Sequence, residues 1–360
     1  MGELKLMKGN EAIAEAAIRA GVDAYFGYPI TPQSEVIEYL ALQKPHETTG
    51  MVVLQAESEL ASINMIYGAA GAGKKVLTSS SGPGISLMME GLSYIAGAEL
   101  PCVVVNVVRG GPGLGTIQPA QSDYFQATKG GGHGDYSMIV LAPASVQEMS
   151  DFVPLGFDLA FKYRNPVFIL SDGLIGQMME KVELFDFVPR WTDQEIIEKN
   201  PWATTGKTPD RERNIITSLY LDPGIQEKHN EKLQAKYRKM KKEEVRFEKI
   251  QCDDAEYLIV AYGSSARIAQ KSILLAREKG IKVGLFRPIT LFPFPFNEIK
   301  KMANQVKGIL SLELSAGQMV EDIKMAVNEK IKVEHFGRMG GIIHSPAEAL
   351  EALEQKIIGE

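Results

Sequence analysis

The chain has only two cysteines in 360 residues, Cys102 and Cys252, far apart and in no CxxC. That excludes a disulfide framework, a zinc finger or an iron–sulfur cluster built from this chain alone. Each thiol reads as packing of a small apolar side chain. Long apolar runs are missing as well: nothing approaches the ~18 residues of a membrane span, and the opening MGELKLMKGNEA lacks the apolar core of a signal peptide. No membrane association is expected, and the expected location is cytoplasmic. Positive charge is not in excess. A net charge of −6 and a pI near 5.6 leave no electrostatic footprint for nucleic acid. The five histidines are scattered, and no Ser-His-Asp order or GxSxG elbow accompanies them.

What is present is alternation. The length suits two domains at roughly 150 residues each. Residues 9–20 read as an amphipathic helix with Asn10 as its N-cap, followed by a strand at 22–26 and another at 52–54. Helices at 58–72, 85–96 and 146–163 then alternate with strands at 76–78, 102–108, 138–141 and 167–171. Such alternation predicts an α/β fold, a three-layer doubly wound parallel sheet, with VVVNVV at 103–108 as a central strand. The first domain is expected over 1–185. A charged stretch at 186–250 reads as linker plus a solvated connecting helix at 226–247, because it has no wide apolar stripe. A smaller α/β domain is expected over 251–360.

In parallel sheets ligands sit at the carboxyl ends of strands, and the unusual loops lie there: YPITP, SSSGPG and RGGPGLGTIQPAQSD. Pro29 and Pro32 stiffen the first and hold Thr31 at a strand end. Glu57 and Glu59 open the helix at 58–72, where acids complement the helix dipole or serve chemistry. Arg109 leaves the central strand among glycines, a place suited to a substrate carboxylate or to an ion pair with Glu59 or Glu99. Asp172 in SDG reads as a turn former, and His133 lies in a glycine-rich loop assigned to the same face. Gly68, Gly73 and Lys74 mimic a P-loop. Lys75 stands where a Ser or Thr should be, and the segment closes a helix instead of opening one. Its small residues read as helix–sheet packing ending in a glycine cap.

GYPITP, the ESE helix start, TSSSGPG, NVVRGG and PAQSDYFQATKGGGHGD together resemble the alpha-type, pyrimidine-side subunits of 2-oxoacid:ferredoxin oxidoreductases, nearest the branched-chain members. The resemblance covers nearly the whole chain. RPITLFPFP likewise resembles the transketolase C-terminal-like second domain of that family. The resemblance implies thiamine diphosphate shared between this chain and a partner. It gives Glu59 the role of catalytic acid on the aminopyrimidine ring, Thr31 and Arg109 that of holding substrate, and Pro29, Ser81 and Gly82 that of lining the cofactor. It implies oxidative decarboxylation of 3-methyl-2-oxobutanoate, with coenzyme A as co-substrate and electrons passed to ferredoxin. No GDG followed by Asn for Mg2+ and no cysteine cluster occurs here. The resemblance therefore implies a beta-type diphosphate-domain subunit with the Mg2+, an iron–sulfur subunit with [4Fe-4S] clusters, and a gamma-type subunit. The rival substrate is 2-oxoglutarate, and the rival class is a non-catalytic nucleotide-binding or assembly module.

Overall fold

The computed structural model describes residues 3–207, 209 and 211–359. Its larger sheet has seven strands in the order Thr290–Phe292, Ile139–Leu141, Pro166–Asp172, Cys102–Val108, Val76–Ser80, Ala24–Gly27 and Val52–Gln55. All are parallel except the first, which runs antiparallel to Ile139–Leu141. Cys102–Val108 and Pro166–Asp172 are buried at every residue, which is why they are apolar but for Asn106 in the first and the closing Ser171 and Asp172 of the second. Helix starts follow their caps. Ser58 Oγ accepts from Ala61 N (3.3 Å) and opens Glu59–Gly71, and Ser145 Oγ accepts from Glu148 N (3.1 Å) and opens Val146–Tyr163.

The second sheet has five strands in the order Lys332–Gly337, Gly308–Glu313, Tyr257–Val260, Val283–Pro288 and Phe247–Ile250, the last antiparallel. The helices Gly263–Glu278, Met319–Val327 and Pro346–Leu353 complete this smaller α/β unit. Two of its features correct the expected division of the chain. Phe247–Ile250, assigned to the linker, is an edge strand of the second sheet, and Thr290–Phe292 crosses over to close the first one.

Three further expectations are corrected. Asn10 does not cap the first helix: the N-cap position is Lys8, whose side chain cannot accept, and Glu11 Oε2 accepts from Lys8 N (2.9 Å). Asn10 is buried in the first turn and donates to Pro32 O (2.7 Å) and Glu35 Oε2 (3.0 Å), so it ties the helix to the YPITP loop. The connecting helix, Pro223–Glu243, is not merely solvated. A narrow stripe of Leu233, Tyr237 and Met240 is buried, and Lys232 and Lys236 both pair with Glu99 of the first unit. Burial lowers the Lys236 ammonium to about 8. Burial pushes the Glu99 carboxyl up, but the two lysines outweigh it and hold it low. A two-stranded antiparallel ribbon of Glu3–Lys8 and Met179–Leu184, absent from the expected elements, joins the start of the chain to the end of the first unit.

Candidate active site

Because the strands are parallel, the loops that leave Gly27, Ser80, Val108 and Asp172 all emerge at one edge of the sheet. Glu59 lies at the first position of its helix and is 4% exposed. Its Oε1 accepts from Ser80 Oγ (3.1 Å), the only hydrogen bond to that carboxylate among the described residues. Gly84, in the first turn of the helix Gly82–Gly97, lies so close that an added Cβ would overlap both Glu59 Oε1 and Ser80 Oγ. Glycine is required there by the approach of helix to carboxylate. Glu57 is exposed and takes no part.

Arg109 is half-buried. Its Nη1 donates to Thr31 O (2.9 Å) and its Nη2 to Leu114 O (3.1 Å), so two of its N–H groups are spent on carbonyls. Its Nε is buried without a partner among the described residues. Neither expected ion pair forms: Glu99 belongs to the lysines of the connecting helix, and Glu59 to Ser80. The backbone of Thr31, not its exposed side chain, reaches the guanidinium, and the Thr31–Pro32 bond is cis. An added Cβ on Gly82 would stand 3.7 Å from Arg109 Cγ, and Gly84 is two residues on. Arg109 and Glu59 therefore flank the same helix start. Ser81 is fully buried there, its Oγ unpartnered among the described residues.

The Pro29 loop is held from below by a residue that the sequence reading passed over. Gln33 is fully buried; its Nε2 donates to Tyr28 O (3.1 Å) and its Oε1 accepts from Ser79 Oγ (2.6 Å). Tyr25 OH lies 2.7 Å from the same Ser79 Oγ, and burial raises that phenol. Ser80 and Gly84 were passed over too. Both sit inside the quoted TSSSGPG, but their proximity to Glu59 exists only once helix and strand have packed.

Other candidates fall away. Asp172 caps Gly173–Gln177 through Leu174 N and Ile175 N (2.9 and 3.1 Å), as a turn former should, and burial raises its carboxyl. His133 is not at the functional edge. Its loop runs back along Gly82–Gly97 to the far end of the sheet, where Ser93 Oγ donates to His133 O (2.7 Å). Lys74 pairs with Asp193 (3.0 Å), and the Lys75 ammonium lies over the Trp191 ring, so neither lysine is set up for phosphate. Packing explains Gly73, whose φ is +78° and whose added Cβ would stand 2.8 Å from Ala203 Cβ. It does not explain Gly68, which has open space around it, and this corrects the expectation of helix–sheet packing there.

Residues 15–249 match the pyruvate flavodoxin/ferredoxin oxidoreductase family, thiamine diphosphate-binding. The chain belongs to this family. Core domain II of pyruvate:ferredoxin oxidoreductase matches 255–349, where the second sheet lies. The chain is 48% identical over 354 residues to ketoisovalerate oxidoreductase subunit VorB of Methanothermobacter thermautotrophicus, covering 98% of this chain and 97% of that one. It is 36% identical to 2-oxoglutarate synthase subunit KorA of Methanocaldococcus jannaschii, covering 99% and 100%. A solved 2-oxoglutarate:ferredoxin oxidoreductase from Magnetococcus marinus, with 2-oxoglutarate, coenzyme A and succinyl-CoA bound, has a TM-score of 0.84 at 28% identity. That likeness covers 99% of this chain and 65% of that one. As a member of the pyruvate flavodoxin/ferredoxin oxidoreductase family, the chain is a subunit of a thiamine-dependent oxidoreductase of 2-oxo acids.

Proposed function

We propose that this subunit holds the aminopyrimidine half of thiamine diphosphate against Glu59 and the carboxylate of a branched-chain 2-oxo acid against Arg109, in an enzyme that makes acyl-CoA and reduces ferredoxin. One observation carries the reading: a buried carboxylate with a single donor among the described residues lies at the functional edge of the sheet, against the glycine-opened start of the next helix. When bound, the cofactor supplies the carbon nucleophile and the electron sink for loss of CO2. Glu59 would accept a hydrogen bond from the ring and hold a proton there, with Ser80 fixing its orientation. Ser81, Gly82 and Pro29 would line the ring.

At Arg109, Nε–H and one remaining N–H of a terminal nitrogen form an edge that suits a carboxylate bidentately. Thr31 and Leu114 fix the guanidinium in place. A grip that is too strong would stabilise the ground state, so orientation is the useful contribution. Residues 110–122 carry no Lys or Arg, and Arg338 is tied to Glu348. Leu114, 82% exposed, and Ile117 project from the same hairpin, and exposed Met339 and Ile342 flank the Gly340–Gly341 turn that lies against it. That lining favours one carboxylate and an aliphatic tail over a second carboxylate. Assay of the purified complex with a panel of 2-oxo acids is expected to show the highest kcat/KM for 3-methyl-2-oxobutanoate. A preference for 2-oxoglutarate would overturn the substrate assignment.

Arg109→Lys is expected to raise KM for the 2-oxo acid by roughly tenfold or more, because the ammonium cannot reproduce the planar fork. Steady-state kinetics decides this, and an unaltered KM contradicts the role.

The remaining parts belong to partners. Leu60, Met65 and Leu87 are exposed on the two helices that start at Glu59 and Gly82, an apolar surface on the elements that carry the site. The beta-type subunit that brings the diphosphate and Mg2+ half is the occupant that this face suits. [4Fe-4S] clusters and a gamma-type chain would complete the complex.

A further inference from the structure

The segment after Arg109 is a closed hairpin. Gly110 N donates to Gln118 O (2.9 Å), Thr116 N donates to Gly110 O (2.8 Å), and Arg109 pairs with Pro119 in a single antiparallel bridge. Because the guanidinium donates to Leu114 O inside this hairpin, hairpin shape and guanidinium direction are linked. Four glycines, at 110, 111, 113 and 115, would leave such a hairpin loose if nothing else held it.

The second domain holds it. Gln121, 2% exposed, donates from Nε2 to Tyr262 O (2.9 Å) and accepts at Oε1 from Ser265 Oγ (2.8 Å) and Leu314 N (3.0 Å). Its backbone N donates to Leu314 O (2.8 Å) and its carbonyl accepts from Tyr262 OH (3.2 Å). All these partners belong to the second domain. The Gly340–Gly341 turn of that domain lies against the hairpin itself. An added Cβ on Gly110 would stand 3.1 Å from Gly340 C and Gly341 N, and one on Gly341 would overlap Gln118 Cβ.

We propose that the second domain is a latch on the Arg109 hairpin, with Gln121 and Gly341 as positioning residues that aim the guanidinium and so set affinity for the 2-oxo acid. The proposal rests on Arg109 as the carboxylate ligand. It gives the second domain a function at a site to which it contributes none of the expected Glu59, Thr31 and Arg109 side chains. Hydrogen bonds buried at both Gln121 ends make the hairpin's exit rigid, and the glycine turn blocks its outward swing.

The two glycines of the turn make a paired test. Both have positive φ, 63° at Gly340 and 93° at Gly341, so alanine strains the backbone at either and more at 341, which is why exchange and the double variant are read beside KM. Only at 341 does the new methyl meet the hairpin; at 340 nothing lies within 4 Å. In the assembled complex, Gly341→Ala is expected to raise KM for 3-methyl-2-oxobutanoate about tenfold with kcat within about twofold, as a small misaim of a positioning group should. KM for coenzyme A should not move, and Gly340→Ala should resemble the unaltered enzyme. Amide hydrogen exchange at 110–118 should quicken in Gly341→Ala alone. The double variant Arg109→Lys with Gly341→Ala should be no worse than Arg109→Lys, since both act on one guanidinium. Equal effects at the two glycines, a matching shift in coenzyme A KM, or additive loss in the double variant would overturn the latch. If Arg109→Lys raises KM and Gly341→Ala does not, the latch alone fails; if Arg109→Lys leaves KM unaltered, the carboxylate assignment fails and takes the latch with it.

Discussion

Glu59→Gln is expected to lower turnover of the assembled enzyme by about 10²–10⁴-fold, the range for loss of a positioned proton-holding group. The substitution keeps the shape. Glutamine can still accept from Ser80 Oγ at the position where Glu59 Oε1 does (3.1 Å), and the Ser58 cap that fixes the helix start does not involve the Glu59 side chain. What it loses is the carboxylate that holds a proton against the ring. The measurement closest to this chemistry is exchange of the thiazolium C2 proton, followed by NMR on the complex. It should slow by orders of magnitude, while subunit composition by native mass spectrometry stays the same. Exchange at the unaltered rate in an intact complex would remove Glu59 from the chemistry. Replacement of Glu57, which is exposed, should leave the exchange rate as it was.

The elements that were legible in the sequence are those whose signal is local. Val103–Val108 is apolar but for Asn106 because both faces of its sheet are covered, and Ser58, Ser145 and Ser345 mark helix starts through their own side chains. The missed elements depend on distant partners. Glu3–Lys8 is a half-exposed ribbon strand whose pairing lies with Met179–Leu184, and Thr290–Phe292 has three residues and a bulge. The connecting helix misled because three apolar residues at 233, 237 and 240 make a stripe too narrow to stand out among its charges. The same distinction holds at the site. Thr31, Glu59 and Arg109 stand out because they terminate strands or open a helix. Gln33, Ser80 and Gly84 do not, since each acts through a contact made only after packing.

Glu313→Ala is expected to destabilise the second domain by on the order of 3–5 kcal/mol, the cost of emptying a buried charged hydrogen-bond hub. Glu313 is fully buried at the end of Gly308–Glu313 and only accepts. Its Oε2 takes Ser315 Oγ, Gln318 N and Met319 N (3.0, 3.0 and 2.9 Å), and its Oε1 takes Ser311 Oγ and Val320 N (2.8 and 3.0 Å). Three of those donors are backbone N–H groups at the start of Met319–Val327, which have no intrahelical partner. The chain thus fills this helix N-terminus with its own carboxylate. Glu313→Gln should cost less. Its amide can turn toward Oε1, where the Ser311 hydroxyl can reverse and accept, leaving one backbone donor, Val320 N, opposed instead of two. Chemical denaturation followed by hydrogen exchange across 257–337 should give the order unaltered, Gln, Ala from most to least stable. The loss should also reach the first domain. Gln318, seated by Glu313, accepts from Phe125 N (2.8 Å) and donates to Ser122 O (2.7 Å), just past the Arg109 hairpin. Emptying the hub should therefore quicken exchange at 119–125 before the strands of the first sheet respond; protection there that is unchanged in a destabilised Glu313→Ala would mean that this stretch does not depend on Gln318.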